Sequence, residues 1–252
     1  MIPGVTVSNA GFRASYGGRL RKGAFPVNGP KAAGVIVEGI KTGAIKKAVE
    51  QGADLLEVRV DSFVDLDPAS LAVSLRKLKK ISGLPIILTV RSKKEGGLQP
   101  LSDRTRAALF EALIPYSDIV DIELSSRGII KNVVSSAKSN GKMVIISHHD
   151  FKSTPGDAAL RDIIEKSRKK GADIVKVAAH AGSVKDLKRL AKALLGGGDL
   201  IIIAMGGKGA ASRVFFPMLG SLITYGSITG KTAPGQLTLK EIKEAFKKYA
   251  TA

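Results

Sequence analysis

From Gly34 onward the chain alternates short, continuous apolar runs with segments of helical period. The runs cover 34–38, 55–60, 85–90, 119–124, 142–147, 174–178, 200–205 and 223–225. They lack a sustained in–out alternation, as expected of strands buried on both faces. The segments between them carry helix start signals. Asp67-Pro68 sets an N-cap before a first-turn proline, and Leu71, Leu75 and Leu78 follow on one face. Ser183 with Asp186, and Thr238 with Glu241, have capping-box spacing. Pro217 inside 212–220 marks the seventh helix as the least regular.

Eight β-α units in this length of chain predict an α/β protein built as a single (β/α)8 TIM barrel over residues 34–252. A doubly wound open sheet is the alternative. It usually has fewer strands and a dinucleotide fingerprint after the first, whereas this turn reads Glu38-Gly39-Ile40-Lys41-Thr42. Residues 1–33 form a basic N-terminal extension with Arg13, Arg19, Arg21, Lys22 and Lys31 and no acid. Either a disordered arm or a hairpin closing the barrel bottom fits it.

Composition narrows the chemistry. There is no cysteine, which excludes thiolate catalysis and Cys-ligated metals, and three histidines, two of them adjacent, argue against a His-built metal site. No apolar run reaches membrane-spanning length and the first thirty residues lack a signal-peptide core, so a cytoplasmic protein is expected. The net charge of +18 raises nucleic-acid binding as a possibility. Aromatics make up only 5%, however, and the lysines are dispersed over helical faces, so solvated surfaces and substrate steering are the better reading. Asn and Gln total seven residues in 252, which points to a heat-adapted source. A melting midpoint above the mesophile range of roughly 45–65 °C is expected, and a melt inside it would contradict that source.

Polar residues occupy positions where a barrel interior should be dry. Glu57, Arg59 and Asp61 share a parity, as do Thr89 with Arg91, Asp121 with Glu123, and Ser147 with His149. Lys176 lies inside Gly-Ala-Asp-Ile-Val-Lys-Val-Ala-Ala at 171–179. A desolvated lysine is a nucleophile toward ketones and aldehydes, although a strand-end lysine can also carry its head out to water. Each of the other residues has its own structural reading, such as Arg59 neutralising Glu57. Together, at the C-terminal ends of strands, they describe a barrel active site. The loop 205–213 is glycine-rich, and 227–236 is small and polar enough for a lid.

Six motifs carry a resemblance. They are Glu57-Val58-Arg59-Val60-Asp61, Arg91-Ser92-Lys93-Lys94-Glu95-Gly96-Gly97, His149-Asp150-Phe151, 172–178, Met205-Gly206 with Ser212-Arg213, and Ala233-Pro234-Gly235-Gln236. In this order they resemble type I 3-dehydroquinate dehydratase, the Schiff-base enzyme of the shikimate pathway. The resemblance implies dehydration of 3-dehydroquinate to 3-dehydroshikimate by a cytoplasmic homodimer without metal, nucleotide or other cofactor. It implies that Lys176 forms the imine, that His149 is the general acid and base, and that Glu95 holds and polarises His149. Arg213 would pair with the substrate carboxylate. Glu57, Arg59 and Arg91 would bind its hydroxyls, and Thr232 and Gln236 would close over it. This chain departs in three places: Val37-Glu38 where the family carries a substrate-contacting serine, Thr232 for serine, and Tyr225 for phenylalanine.

Two other readings remain. A class I aldolase also uses a barrel lysine and would want a phosphate site in the last two βα loops, which Gly206, Gly207 and Lys208 could partly supply. It leaves His149-Asp150-Phe151 and 233–236 unexplained. A nucleic-acid-binding module would need stacking aromatics, and leaves the polar interior without purpose. The adjacent histidines separate by parity: His149 shares its face with Ser147 and looks into the barrel, while His148 faces the helical layer or a neighbouring loop.

Overall fold

The computed structural model describes residues 29–229 and 235–250, so most of the basic extension and Thr232 lie outside the described residues. Eight parallel strands form a nearly closed barrel: β1 (Lys31–Ile36), β2 (Leu55–Arg59), β3 (Ile86–Thr89), β4 (Ile119–Glu123), β5 (Met143–Asp150), β6 (Ile174–His180), β7 (Leu200–Met205) and β8 (Ile223–Ser227). Each is followed by a helix: α1 (Thr42–Glu50), α2 (Pro68–Ser82), α3 (Asp103–Leu113), α4 (Ile130–Ser139), α5 (Asp157–Lys169), α6 (Val184–Leu195), α7 (Ser212–Met218) and α8 (Leu239–Tyr249). The molecule is a (β/α)8 barrel.

Sequential strands pair in parallel, and β1 also pairs β8. The remaining seam is thin. Leu222 N donates to Leu200 O at 2.9 Å, and the Ser221 hydroxyl accepts from Ile202 N at 3.0 Å.

Local chemistry agrees with the start signals. The Asp67 carboxylate accepts from Ser70 N with Pro68 in the first turn, and both capping boxes form, Ser183 with Asp186 and Thr238 with Glu241. α7 is only seven residues long and ends past Pro217. Two strand bounds differ from the apolar runs. β1 begins at Lys31 rather than Gly34, because Ala32 and Ala33 are small yet fully buried. β5 extends to Asp150, so both histidines are strand residues.

Strand parity sorts the core. Outward residues such as Leu56, Leu88, Ile122 and Ile146 pack against helices, with Val175, Val177 and Ile202 continuing that layer. Inward residues Ala33, Leu55, Ile87, Ile119, Ile145, Ile174 and Ile201 fill the barrel. Above them the same inward parity turns polar, and the site begins there.

Candidate active site

β6 carries Lys176 two residues beyond Ile174 on the inward face. Its side chain is 5% exposed. Nζ lies 3.1 Å from Asp121 Oδ2 and 3.7 Å from Glu57 Oε1, and 4.0 Å from the centroid of the Tyr225 ring. The head does not reach water past the strand end. It is held inside, paired with two carboxylates, as a buried charge requires.

A network fixes those carboxylates. The Arg91 guanidinium contacts Asp121 through Nη2 at 2.9 Å, and through Nη1 it donates to Glu123 at 3.1 Å and to Ser147 Oγ at 2.6 Å. The Ser147 hydroxyl in turn donates to Asp121 Oδ1 at 2.6 Å. Burial alone would raise the Asp121 pKa, but Arg91 and Lys176 override it and hold the carboxyl far below the usual range. Arg91 itself is raised, because Asp121 and Glu123 outweigh the burial that would lower it. Behind Glu123, Arg106 of α3 contributes a 2.5 Å contact from Nη2 and anchors its Nε on Val90 O at 2.9 Å. Arg106–Glu123–Arg91–Asp121–Lys176 is thus one chain of ion pairs from the helical layer to the amine.

His149 is brought to the site by the end of β5. Its backbone N donates to Glu95 Oε2 at 2.9 Å, and its ring Nδ1 lies 3.0 Å from the same oxygen. That geometry assigns the proton to Nδ1 and leaves the Nε2 lone pair for chemistry. Burial, then the charges of Arg91 and Lys176, lowers the His149 pKa well below 6.5. Glu95 sits in a short 3-10 turn, Lys93–Glu95, opened by Ser92, whose hydroxyl accepts from Lys94 N. Burial raises the Glu95 pKa, and a hydroxyl donated by Ser125 partly offsets it. The Phe151 ring stacks on His149 at 6.3 Å and packs over Gly96, where a Cβ would come within 2.6 Å of it. His148 has the opposite parity and pairs in register with Val177 of the outer layer.

Arg59 grips Asp61 with two bonds, Nε to Oδ1 at 2.9 Å and Nη2 to Oδ2 at 2.8 Å, rather than neutralising Glu57. It also donates to Gly96 O at 3.1 Å. Glu57 instead accepts from Thr89 Oγ1 at 3.0 Å. Arg213 of α7 reaches Gly235 O at 3.0 Å and Tyr225 O at 3.5 Å, and has no acidic partner among the described residues. Gln236 is buried directly after Gly235, whose φ of 73° and close approach to the Gly206 carbonyl exclude a side chain. Glu38, in the left-handed region at φ 56°, is exposed.

Eight of the nine expected site residues are therefore described: Lys176, Glu57, Arg59 and His149 on strands, Arg91, Glu95 and Gln236 in the segments after strands, and Arg213 in α7. Five residues of the network received no role from sequence: Asp121, Glu123, Ser147, Ser125 and Arg106. Asp121, Glu123 and Ser147 were visible as inward polar residues. Arg106 was signalled only by standing on the buried stripe of α3 with Leu109, Phe110 and Leu113.

The chain matches the family model for type I 3-dehydroquinase over residues 40–251. It is 41% identical over 208 residues to the 3-dehydroquinate dehydratase of Aquifex aeolicus (strain VF5), covering 81% of this chain and 92% of the relative. The 3-dehydroquinate dehydratase of Pyrococcus abyssi (strain GE5 / Orsay) is 38% identical over 214 residues, covering 84% and 95%. The crystal structure of the Aquifex aeolicus VF5 3-dehydroquinate dehydratase superposes with a TM-score of 0.81 at 38% identity, over 88% of this chain and all of that one.

Proposed function

The chain belongs to the type I 3-dehydroquinase family, a family of hydro-lyases, and from that premise we propose that it dehydrates 3-dehydroquinate to 3-dehydroshikimate through an imine on Lys176. The observation that carries the proposal is the buried Lys176 amine beside a histidine whose Nε2 is left free by its Glu95 bond.

The steps follow from those groups. Nζ gives up a proton, for which Glu57 Oε1 at 3.7 Å is the adjacent acceptor not paired with Arg91, and adds to the substrate ketone carbon. Loss of water from the carbinolamine leaves a protonated imine. Its positive nitrogen acidifies the neighbouring carbon, and His149 Nε2 takes that proton. The resulting enamine expels the hydroxyl on the next carbon, and the imidazolium returns its proton to the leaving oxygen, so water departs. One further water hydrolyses the imine and frees Lys176. The balance is one substrate to one product plus one water.

Glu95 keeps the imidazole oriented and in the Nδ1–H tautomer. Arg213, a half-buried cation whose partners among the described residues are carbonyls, is placed to pair with the substrate carboxylate through its planar fork. Arg59 and Glu57 face the same mouth and suit ring hydroxyls, as do Gln236 and Thr232 from the last loop. Arg91 is enclosed by three protein partners, so its part is to fix Asp121 and the amine rather than to bind substrate directly. Family membership also supports a cytoplasmic homodimer acting without metal or nucleotide.

Mixing the protein with 3-dehydroquinate and following the conjugated enone of the product tests the reading. Turnover is expected, with the acid limb of kcat/KM below pH 6.5, because the free enzyme's base has its pKa lowered by burial and stays neutral until the pH falls through that value. No enone, or an acid limb above pH 6.5, would contradict it.

A further inference from the structure

The inward face of β8 carries two buried hydroxyls that the chemistry above does not use. Tyr225 and Ser227 are 5% and 4% exposed, and neither Oη nor Oγ has a hydrogen-bond partner among the described residues. An orphaned buried hydroxyl destabilises the free protein, so two on one strand face require a reason. Both face inward. Gly226 between them turns to the helical layer, where a Cβ would meet Leu239 Cα at 2.6 Å. Tyr225 belongs to the interior cluster with Ala33 and Ile203, and Ser227 lies one inward position nearer the mouth, opposite Val35. A third orphan, Thr224 Oγ1, has the outward parity of Gly226 and takes no part.

The Tyr225 ring stands 4.0 Å from Lys176 Nζ. Burial, then the charges of Glu57 and Asp121, raises the phenol pKa well above its usual value, so the group remains a donor. The ring's attraction for the ammonium persists when that nitrogen becomes a protonated imine.

We propose that Tyr225 and Ser227 form a hydroxyl-recognising wall, in which Oη and Oγ hydrogen-bond the ring hydroxyls of a polyhydroxylated cyclic ketone held at Lys176. The inference rests on the imine reading and extends it to a strand that supplies none of the acid–base groups. The bound ring supplies the partners the free protein lacks, and an analogue without those hydroxyls leaves the two groups unpaired.

Tyr225→Phe, Ser227→Ala and the double variant are compared with wild type in steady-state turnover of 3-dehydroquinate and in thermal melts. Each single change is expected to raise KM by about 3–10-fold with kcat within a few-fold, the signature of lost binding shared by ground and transition states. Melting of the free protein is expected to be unchanged or higher, since each change removes an orphaned hydroxyl. Borohydride trapping of cyclohexanone, which has no hydroxyls, is expected to label Lys176 equally in all four proteins. A double variant with KM within twofold of wild type would overturn the inference. So would a melt lowered by several degrees in both single variants, which would mean that the hydroxyls bond within the protein. The KM series reads turnover alone, so it decides the role of the wall even where trapping fails and the imine reading falls.

Discussion

Replacing His149 by alanine is expected to lower turnover about 10²-fold or more while borohydride still reduces an adduct onto Lys176. In the proposed mechanism the two steps use different groups. Imine formation needs the amine and its carboxylate neighbours, all of which remain. Proton removal from the adjacent carbon needs a neutral imidazole on the inward face, and of the two histidines of β5 only His149 has that parity. His148→Ala is the matched control, because its side chain stands on the outer parity of the same strand, in register with Val177. It should turn over within a few-fold of wild type. A dead His148→Ala with a nearly normal His149→Ala would mean that the inward set of β5 is shifted by one residue. Loss of trapping in His149→Ala would instead mean that the histidine is needed to make the imine.

Arg91→Met is expected to cost about 3–5 kcal/mol of stability, because it leaves Asp121 and Glu123 as buried carboxylates without their shared cation. For a domain of this size that loss corresponds to a melting midpoint lowered by roughly 10 °C. Arg91→Lys should rescue little of it. The native side chain uses two guanidinium nitrogens at once, one for Glu123 and Ser147 and the other for Asp121, and an ammonium is a single point of charge. The direction with pH follows from Asp121. Its folded pKa is depressed, so the stability it contributes is present above the ordinary carboxylate range and lost as pH falls through the acid region. Arg91→Lys melting like wild type would show that the fork is not what holds the network.

The eight strands were legible because parallel strands buried on both faces read as unbroken apolar runs. The signal failed where burial is achieved by small or polar residues. Ala32 and Ala33 open β1 without any hydrophobic emphasis, and His148, His149 and Asp150 close β5 as polar residues. His149 could be singled out by sharing its parity with Ser147, and Lys176 by standing inside an apolar run, although a strand-end lysine reaching water would read the same way. Pairings were not legible. Arg59 has acids at two equal spacings, Glu57 and Asp61. The backbone decides by turning into the 3-10 helix Val60–Ser62 directly after β2, which brings Asp61 under the guanidinium. Arg106 was hidden for another reason. An arginine on an apolar helix stripe ordinarily lays its stem on the core and sends its head to water, whereas here the head goes inward to Glu123 because β4 leaves a carboxylate there.

Sodium borohydride trapping of the protein during turnover of 3-dehydroquinate, followed by peptide mapping, tests the covalent mechanism most directly. A single reduced adduct on the peptide containing Lys176 is expected, absent from Lys176→Ala and indifferent to EDTA. An adduct on another lysine, or rapid turnover with no adduct at all, would contradict it.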